Sequence, residues 1–265
     1  MIISNSCGDR LHVAVLGEGP PVLLLPGAVA SGRYFTHFGL APLLARDFRV
    51  ILPDLTGMGA SARVEKVSPT QWCEDVLSVL EALGLDRVHL GGVSLGSRIA
   101  GRFALEHPGR VLTLLADSPI VAVDRAGEAF LARFFAHPDE APAHARAGWL
   151  EMHGEDWRDV LAFYARTRAD QALQEYLTLR PHLAAIPVPT LITRGDLDDR
   201  AHPLAQALEW HSAAAGSWLW IAPGARASST ARDVPDQLAQ VYRSFLARAA
   251  SVRAAGQERH QEETA

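Results

Sequence analysis

Val88-His89-Leu90-Gly91-Gly92-Val93-Ser94-Leu95-Gly96-Ser97 is the stretch whose reading decides the fold. A short β-type run, Val88 to Leu90, leads into Gly92-Val93-Ser94-Leu95-Gly96, and a helical pattern follows from Ser97 to Glu106. Strand, sharp turn and helix in that order place a serine at an apex in strained backbone geometry, while the flanking glycines let neighbouring elements pack close. A serine at a helix N-cap is the plainer alternative. Two glycines at this spacing favour the apex.

Working outward, short β-rich apolar runs alternate with amphipathic helical stretches, which predicts an α/β fold with a mostly parallel sheet wrapped by helices. Leu11 to Leu16, Val22 to Leu25 and Phe48 to Leu52 read as strands before the serine turn, and Val111 to Ala116, Pro189 to Thr193 and Ser217 to Ala222 as strands after it. Pro69 to Leu83 repeats Trp72, Val76, Val79, Leu80 and Leu83 at helical spacing and stops at Gly84; Val234 to Ala249 reads as a closing amphipathic helix.

Between Ser118 and Ile186 the sheet pattern disappears, and the residues are helix-forming, charged and rich in His, Trp and Arg. A structureless loop of that length is improbable in a compact domain. The expected organisation is a core of residues 1–118 and 186–250, a helical cap at 119–185 on the carboxyl edge of the sheet, where ligands bind in parallel sheets, and a disordered polar tail at 251–265.

Composition limits the partners. The chain has 265 residues, 48% of them hydrophobic, and a net charge of −5, so it can bury a large core and offers no basic face for nucleic acid or an anionic membrane. No apolar run approaches the ~20 residues that span a bilayer, and Met1 to Arg10 lacks a charged region followed by an apolar core. A cytoplasmic protein facing a small-molecule substrate is expected, with no cofactor; oligomeric state is not legible. Cys7 and Cys73 lack metal-ligand or redox spacing and read as free thiols, Cys73 in a helix core. No metal site is expected.

Together these landmarks give the chain a resemblance to the α/β-hydrolase fold superfamily, over nearly everything from Leu11 to Ala249. It is carried by Leu25-Pro26-Gly27-Ala28, Pro53-Asp54-Leu55-Thr56-Gly57-Met58-Gly59-Ala60-Ser61, the serine turn, and Pro189 to Asp198, in the family's order. The resemblance implies that Ser94 attacks a carbonyl, with the backbone N–H groups of Leu95 and Ala28 as oxyanion donors. It also implies an acid at Asp198, in Gly195-Asp196-Leu197-Asp198, with Asp117 in reserve; Asp196 and Asp199 keep open a turn role for Asp198. The family usually has His-Gly where this chain has Pro26-Gly27, two residues before the expected donor. A serine at the apex points to ester, thioester, lactone or C–C bond cleavage, because the dehalogenase and epoxide-hydrolase branches place aspartate there.

The expected base is missing. Pro-Gly-Ala-x-His is common after the last strand, and here the segment reads Pro223-Gly224-Ala225-Arg226-Ala227, leaving the histidine position vacant at Ala227. Arg226 stays protonated and cannot accept the serine proton. His89 reads as a core residue; His137, His144, His153 and His182 belong to the cap region, where a solvated helical face is the favoured reading and a position looking down into the pocket the alternative. Three readings remain open: an engineered His→Ala hydrolase, a natural relative that binds, isomerises or cyclises a ligand without hydrolysis, or a displaced alignment of the last loop. Aromatic residues Phe130, Phe134, Phe135, Trp149, Trp157, Phe163 and Tyr164 suggest an apolar substrate chamber, unless they pack the cap's own core.

Overall fold

The computed structural model describes residues 1–123, 125–197, 200–227 and 230–264, with side chains described up to Val252 except at Arg125 and Ala126. Eight strands form one sheet: β1 (Ile2–Ser4), β2 (Arg10–Leu16), β3 (Pro21–Leu25), β4 (Arg49–Pro53), β5 (Val88–Val93), β6 (Val111–Asp117), β7 (Thr190–Leu197) and β8 (Trp218–Arg226). Their spatial order is β1-β2-β4-β3-β5-β6-β7-β8. The β1–β2 and β2–β4 pairings are antiparallel and all others parallel. The short first strand has no counterpart in the sequence reading, because three residues are too few to show a period.

Parallel strands covered on both faces must be apolar at successive positions, and β3 shows how the two faces divide. Leu23 and Leu25 join one buried cluster with α3 (Gln71–Ala82) and α4 (Leu95–Glu106), whereas Val22 and Leu24 join a second with α2 (Leu40–Leu44) and α11 (Pro235–Thr264). That alternation is the two-residue period of a strand written into a continuous Val-Leu-Leu-Leu run.

Between β6 and β7 the described residues form α5 (Arg125–Ala136), α6 (Ala143–His153), α7 (Trp157–Arg168) and α8 (Gln171–Tyr176), with 3-10 turns and no strand. The aromatic residues of this insertion divide into two groups. Trp149 stacks on Trp157 at 5.5 Å and Phe135 meets Tyr164 edge-on at 5.0 Å, giving the insertion its own packing. Phe163 fills the space over Gly57, where an added Cβ would strike its ring.

After β7 come α9 (Leu204–Ala213), β8 and α10 (Thr230–Asp233). Helix α11 continues to Thr264, through the segment read in sequence as a disordered tail. The Ala, Arg, Glu and Gln content of that segment favours helix.

Candidate active site

Ser94 stands between the end of β5 and the start of α4 with φ 53° and ψ −112°. The left-handed region costs a non-glycine residue on the order of 1–3 kcal/mol, so surrounding structure must enforce it. Two glycines make that possible. A Cβ on Gly92 would strike the Gly96 backbone, and one on Gly96 would strike the carbonyl of Leu25 at the end of β3. The Ser94 N–H donates to the Asp117 carbonyl at 2.9 Å, fixing the turn to the neighbouring strand.

Strain is concentrated at this edge of the sheet. Among the described residues only Val29, Ser94 and Ser118 have positive φ without being glycine, at 47°, 53° and 49°. They follow β3, β5 and β6, which lie side by side, and the register places Val93 opposite Asp117 and Asp117 opposite Thr193.

A cavity of about 390 Å³ opens at these loops, and Gly27, Ala28, Val29, Ser94 and His202 contribute to its wall. From the insertion, Phe130, Leu131, Phe134, Phe135 and Trp149 also face it. Phe130 and Phe134 remain 42% and 36% exposed and form its outer rim. Trp157, Phe163 and Tyr164 are buried elsewhere in the insertion, so its aromatic residues divide between the cavity wall and packing.

His202 is the partner of Ser94. Its Nε2 lies 2.8 Å from Ser94 Oγ, within reach for direct proton transfer. When Nε2 accepts the serine proton, the neutral ring carries its own proton on Nδ1. The histidine comes from the loop after β7, just before Pro203. The sequence reading considers the segment after β8, the cap and His89 for a base and does not extend to this loop. A usable signal was there: His202 follows a strand of the parallel sheet at the same carboxyl edge as Ser94.

A histidine outside those segments therefore stands at hydrogen-bond distance from Ser94. Ala227 occupies the expected histidine position, is fully buried, and donates its N–H to Leu197 O at 2.8 Å. It does not line the cavity. His153, read as solvated, is also buried; Gly59 N–H donates to its Nδ1 at 3.1 Å, and its Nε2 meets Val29 O at 2.9 Å. His89 is a core residue paired with Thr113 Oγ1 at 2.9 Å, and His137, His144 and His182 are exposed.

Asp198, the expected acid, lies outside the described residues. Asp117 closes β6 as a fully buried carboxyl whose Oδ1 accepts from Ser118 at 3.2 Å, Thr193 at 3.0 Å and Thr230. Its Oδ2 has no hydrogen-bond partner among the described residues. Burial pushes its pKa up to about 6, while the three hydroxyls and the positive charge of a protonated His202 pull it down. Ala28 lines the cavity, and Leu95 opens α4, where the first N–H groups of a helix lack intrahelical acceptors. The hydroxyl of Tyr34, a residue that also lines the cavity, is buried with no hydrogen-bond partner among the described residues; burial and then the Asp117 charge raise its pKa.

Cys7 is an exposed and Cys73 a buried free thiol. Among the described residues no group of three or more His, Cys, Asp or Glu side chains is placed to hold a metal ion. No helix among them is long and apolar enough to cross a membrane.

Residues 20–148 match the family model of the α/β hydrolase fold. The chain is 32% identical over 219 residues to a pimeloyl-[acyl-carrier protein] methyl ester esterase of Aeromonas hydrophila subsp. hydrophila, covering 76% of this chain and 78% of that one. It is 36% identical over 107 residues to a 2-hydroxy-6-oxo-6-phenylhexa-2,4-dienoate hydrolase of Burkholderia cepacia, covering 38% of this chain and 37% of that enzyme. In fold it is similar to the crystal structure of a membrane phospholipase A, with a TM-score of 0.78 at 24% identity over 94% of this chain and 86% of the other. Sheet order, serine turn and these relatives agree: the chain belongs to the α/β-hydrolase fold family.

Proposed function

We propose that this protein is a serine hydrolase acting on a small, partly apolar carbonyl compound, with Ser94 as nucleophile and His202 as general base. The observation that carries this reading is the 2.8 Å approach of His202 Nε2 to Ser94 Oγ, at a serine held in strained geometry on a cavity wall. An unassisted serine hydroxyl is a weak nucleophile, and an adjacent imidazole removes that limit.

In the reaction Ser94 Oγ attacks the substrate carbonyl carbon as its proton passes to His202 Nε2. The oxyanion of the tetrahedral intermediate takes hydrogen bonds from Leu95 and Ala28 N–H. His202 then protonates the leaving group as the bond to it breaks, leaving an acyl-serine. Water deprotonated by His202 attacks that ester, and collapse of the second intermediate returns the proton to Ser94. Two carboxylates compete to stabilise the imidazolium: Asp198, four residues before His202 in the chain, and Asp117, whose charge His202 favours.

The apolar wall from the insertion, a helical cap in this reading, suits an acyl or aryl group. The relatives' methyl ester esterase and dienoate hydrolase names support a choice among ester, thioester, lactone and C–C bond cleavage. A panel of activated acyl esters tests the proposal. Turnover is expected in the unmodified protein, and Ser94→Ala and His202→Ala should each reduce kcat by about 10⁴ or more. Turnover that survives either substitution in a folded protein overturns it, as does a panel with no turnover at all, which favours a ligand-binding role.

A further inference from the structure

A second cavity shares no lining residue with the one at Ser94. A cleft of about 650 Å³ lies on the other side of the loop after β3, with Arg10, Arg33, Arg63, His12, Asp54 and His153 in its wall. The carboxylates lining it are already engaged. Asp54 accepts from Gly32 N–H at 2.7 Å, Ala60 N–H at 2.8 Å and pairs with His12 at 3.0 Å. Glu151 pairs with His37 at 2.7 Å, and Asp156 with Arg63 at 2.6 Å.

The arginines are not equally engaged. Arg63 also donates to Ser61 O and His153 O, and with its carboxylate partner serves as structure. Arg33 gives one bond, from Nη1 to Glu151 O at 2.9 Å, and has no carboxylate partner among the described residues. Arg10 is exposed, and no hydrogen bond or ion pair of its guanidinium is found among them. The cleft therefore holds two arginine forks with donors to spare, beside three carboxylates that each already have a hydrogen-bond partner. That arrangement recognises an oxyanion.

His153 connects this cleft to the catalytic cavity. It closes α6, lines the cleft, and joins Gly59 N–H, in the cleft wall, to Val29 O, in the loop beside Ala28. Burial pushes its pKa down, which keeps the ring neutral with Nδ1 as acceptor and the Nε2 proton directed at Val29 O. Val29 itself holds a strained positive φ, so its peptide orientation depends on such contacts.

We propose that this cleft binds a small metabolite through a carboxylate or phosphate group held by Arg10 and Arg33, and that occupancy tightens the loop after β3 through His153. The size of the cleft exceeds a bare ion and leaves room for an organic body beside Leu150 and Met152.

Calorimetric titration of the full chain with succinate and, separately, inorganic phosphate tests the site and distinguishes the two sources of charge. At least one should bind saturably, and Arg10→Gln and Arg33→Gln should each weaken it by about tenfold. Both side chains are exposed, so neither change threatens folding. No saturable binding of either probe overturns the site, as does binding that both variants leave unchanged. Amide exchange in the peptide spanning residues 27–32 should slow when the bound probe is present, and His153→Gln should bind the probe without that response. Exchange that ignores the probe, or that still responds in the His153 variant, overturns the coupling. Neither readout requires turnover, so a protein that hydrolysed no ester would still answer both questions.

Discussion

The turn after β5 and the loop after β7 supply the two ends of one hydrogen bond, yet they are constrained in opposite ways. Ser94 is fixed by sterics: glycines on both sides admit backbone where no Cβ fits, and its own φ is strained. His202 has no such local signature; it reaches Ser94 from a loop, just before Pro203, and is identified by where β7 ends. A nucleophile at a strained apex has one address in the chain, whereas an imidazole at the carboxyl edge of a parallel sheet can be delivered from more than one neighbouring loop. The vacancy at Ala227 after β8 and the presence of His202 after β7 are the two sides of that difference.

The comparison is sharpened most by finding which acid serves His202 in the proposed mechanism. If Asp117 orients His202, Asp117→Asn should lower kcat by about 10⁴ and Asp198→Asn far less. The reverse ranking assigns the acid to the β7 loop, making base and acid neighbours in sequence. Steady-state kinetics on an activated ester decide between them.

Asp117 also makes a stability prediction independent of activity. Its folded pKa of about 6 lies above the ordinary carboxylate value of 3.8. The unfolded chain therefore ionises first as pH rises, and stability falls between about pH 4 and 6, by on the order of 3 kcal/mol. Below that window the group is protonated in both states and the penalty is absent. Urea unfolding at several pH values should show the decline, and Asp117→Asn should flatten it.

The steric half of the comparison is tested by backbone-size changes. Gly96→Ala forces a Cβ against the Leu25 carbonyl and should cost about 2–3 kcal/mol in a urea titration. Arg200→Ala, exposed in the β7 loop, should stay within about 0.5 kcal/mol. Equal tolerance at the two positions would break the contrast. Ala227→His should cost less than Gly96→Ala: a buried site must admit a ring, at about 1–2 kcal/mol, with no gain in turnover because His202 already serves as base in the proposed mechanism. A gain of orders of magnitude would return the base to the β8 loop.

What the sequence made legible follows the same division. The β5 turn was readable because glycine spacing, strand and helix all fall within a few residues, and β3 was readable because a short apolar run between turn residues has few other uses. Aromatic residues of the insertion could not be sorted, since Phe134 at the cavity and Phe163 over Gly57 have the same character in sequence. His153 was misread because its partners Gly59 and Val29 are far off in the chain. His202 was missed because a positional expectation, histidine after the last strand, was applied where only spatial proximity matters.

The central claim is that His202 activates Ser94, and reaction with a fluorophosphonate probe reads that activation without knowledge of the substrate. Intact-mass and peptide analysis should find a single adduct on Ser94, formed rapidly in the unmodified protein and about 10³-fold or more slower in a folded His202→Ala variant. An unmodified protein that resists labelling, or a His202→Ala variant labelled at the same rate, would contradict it.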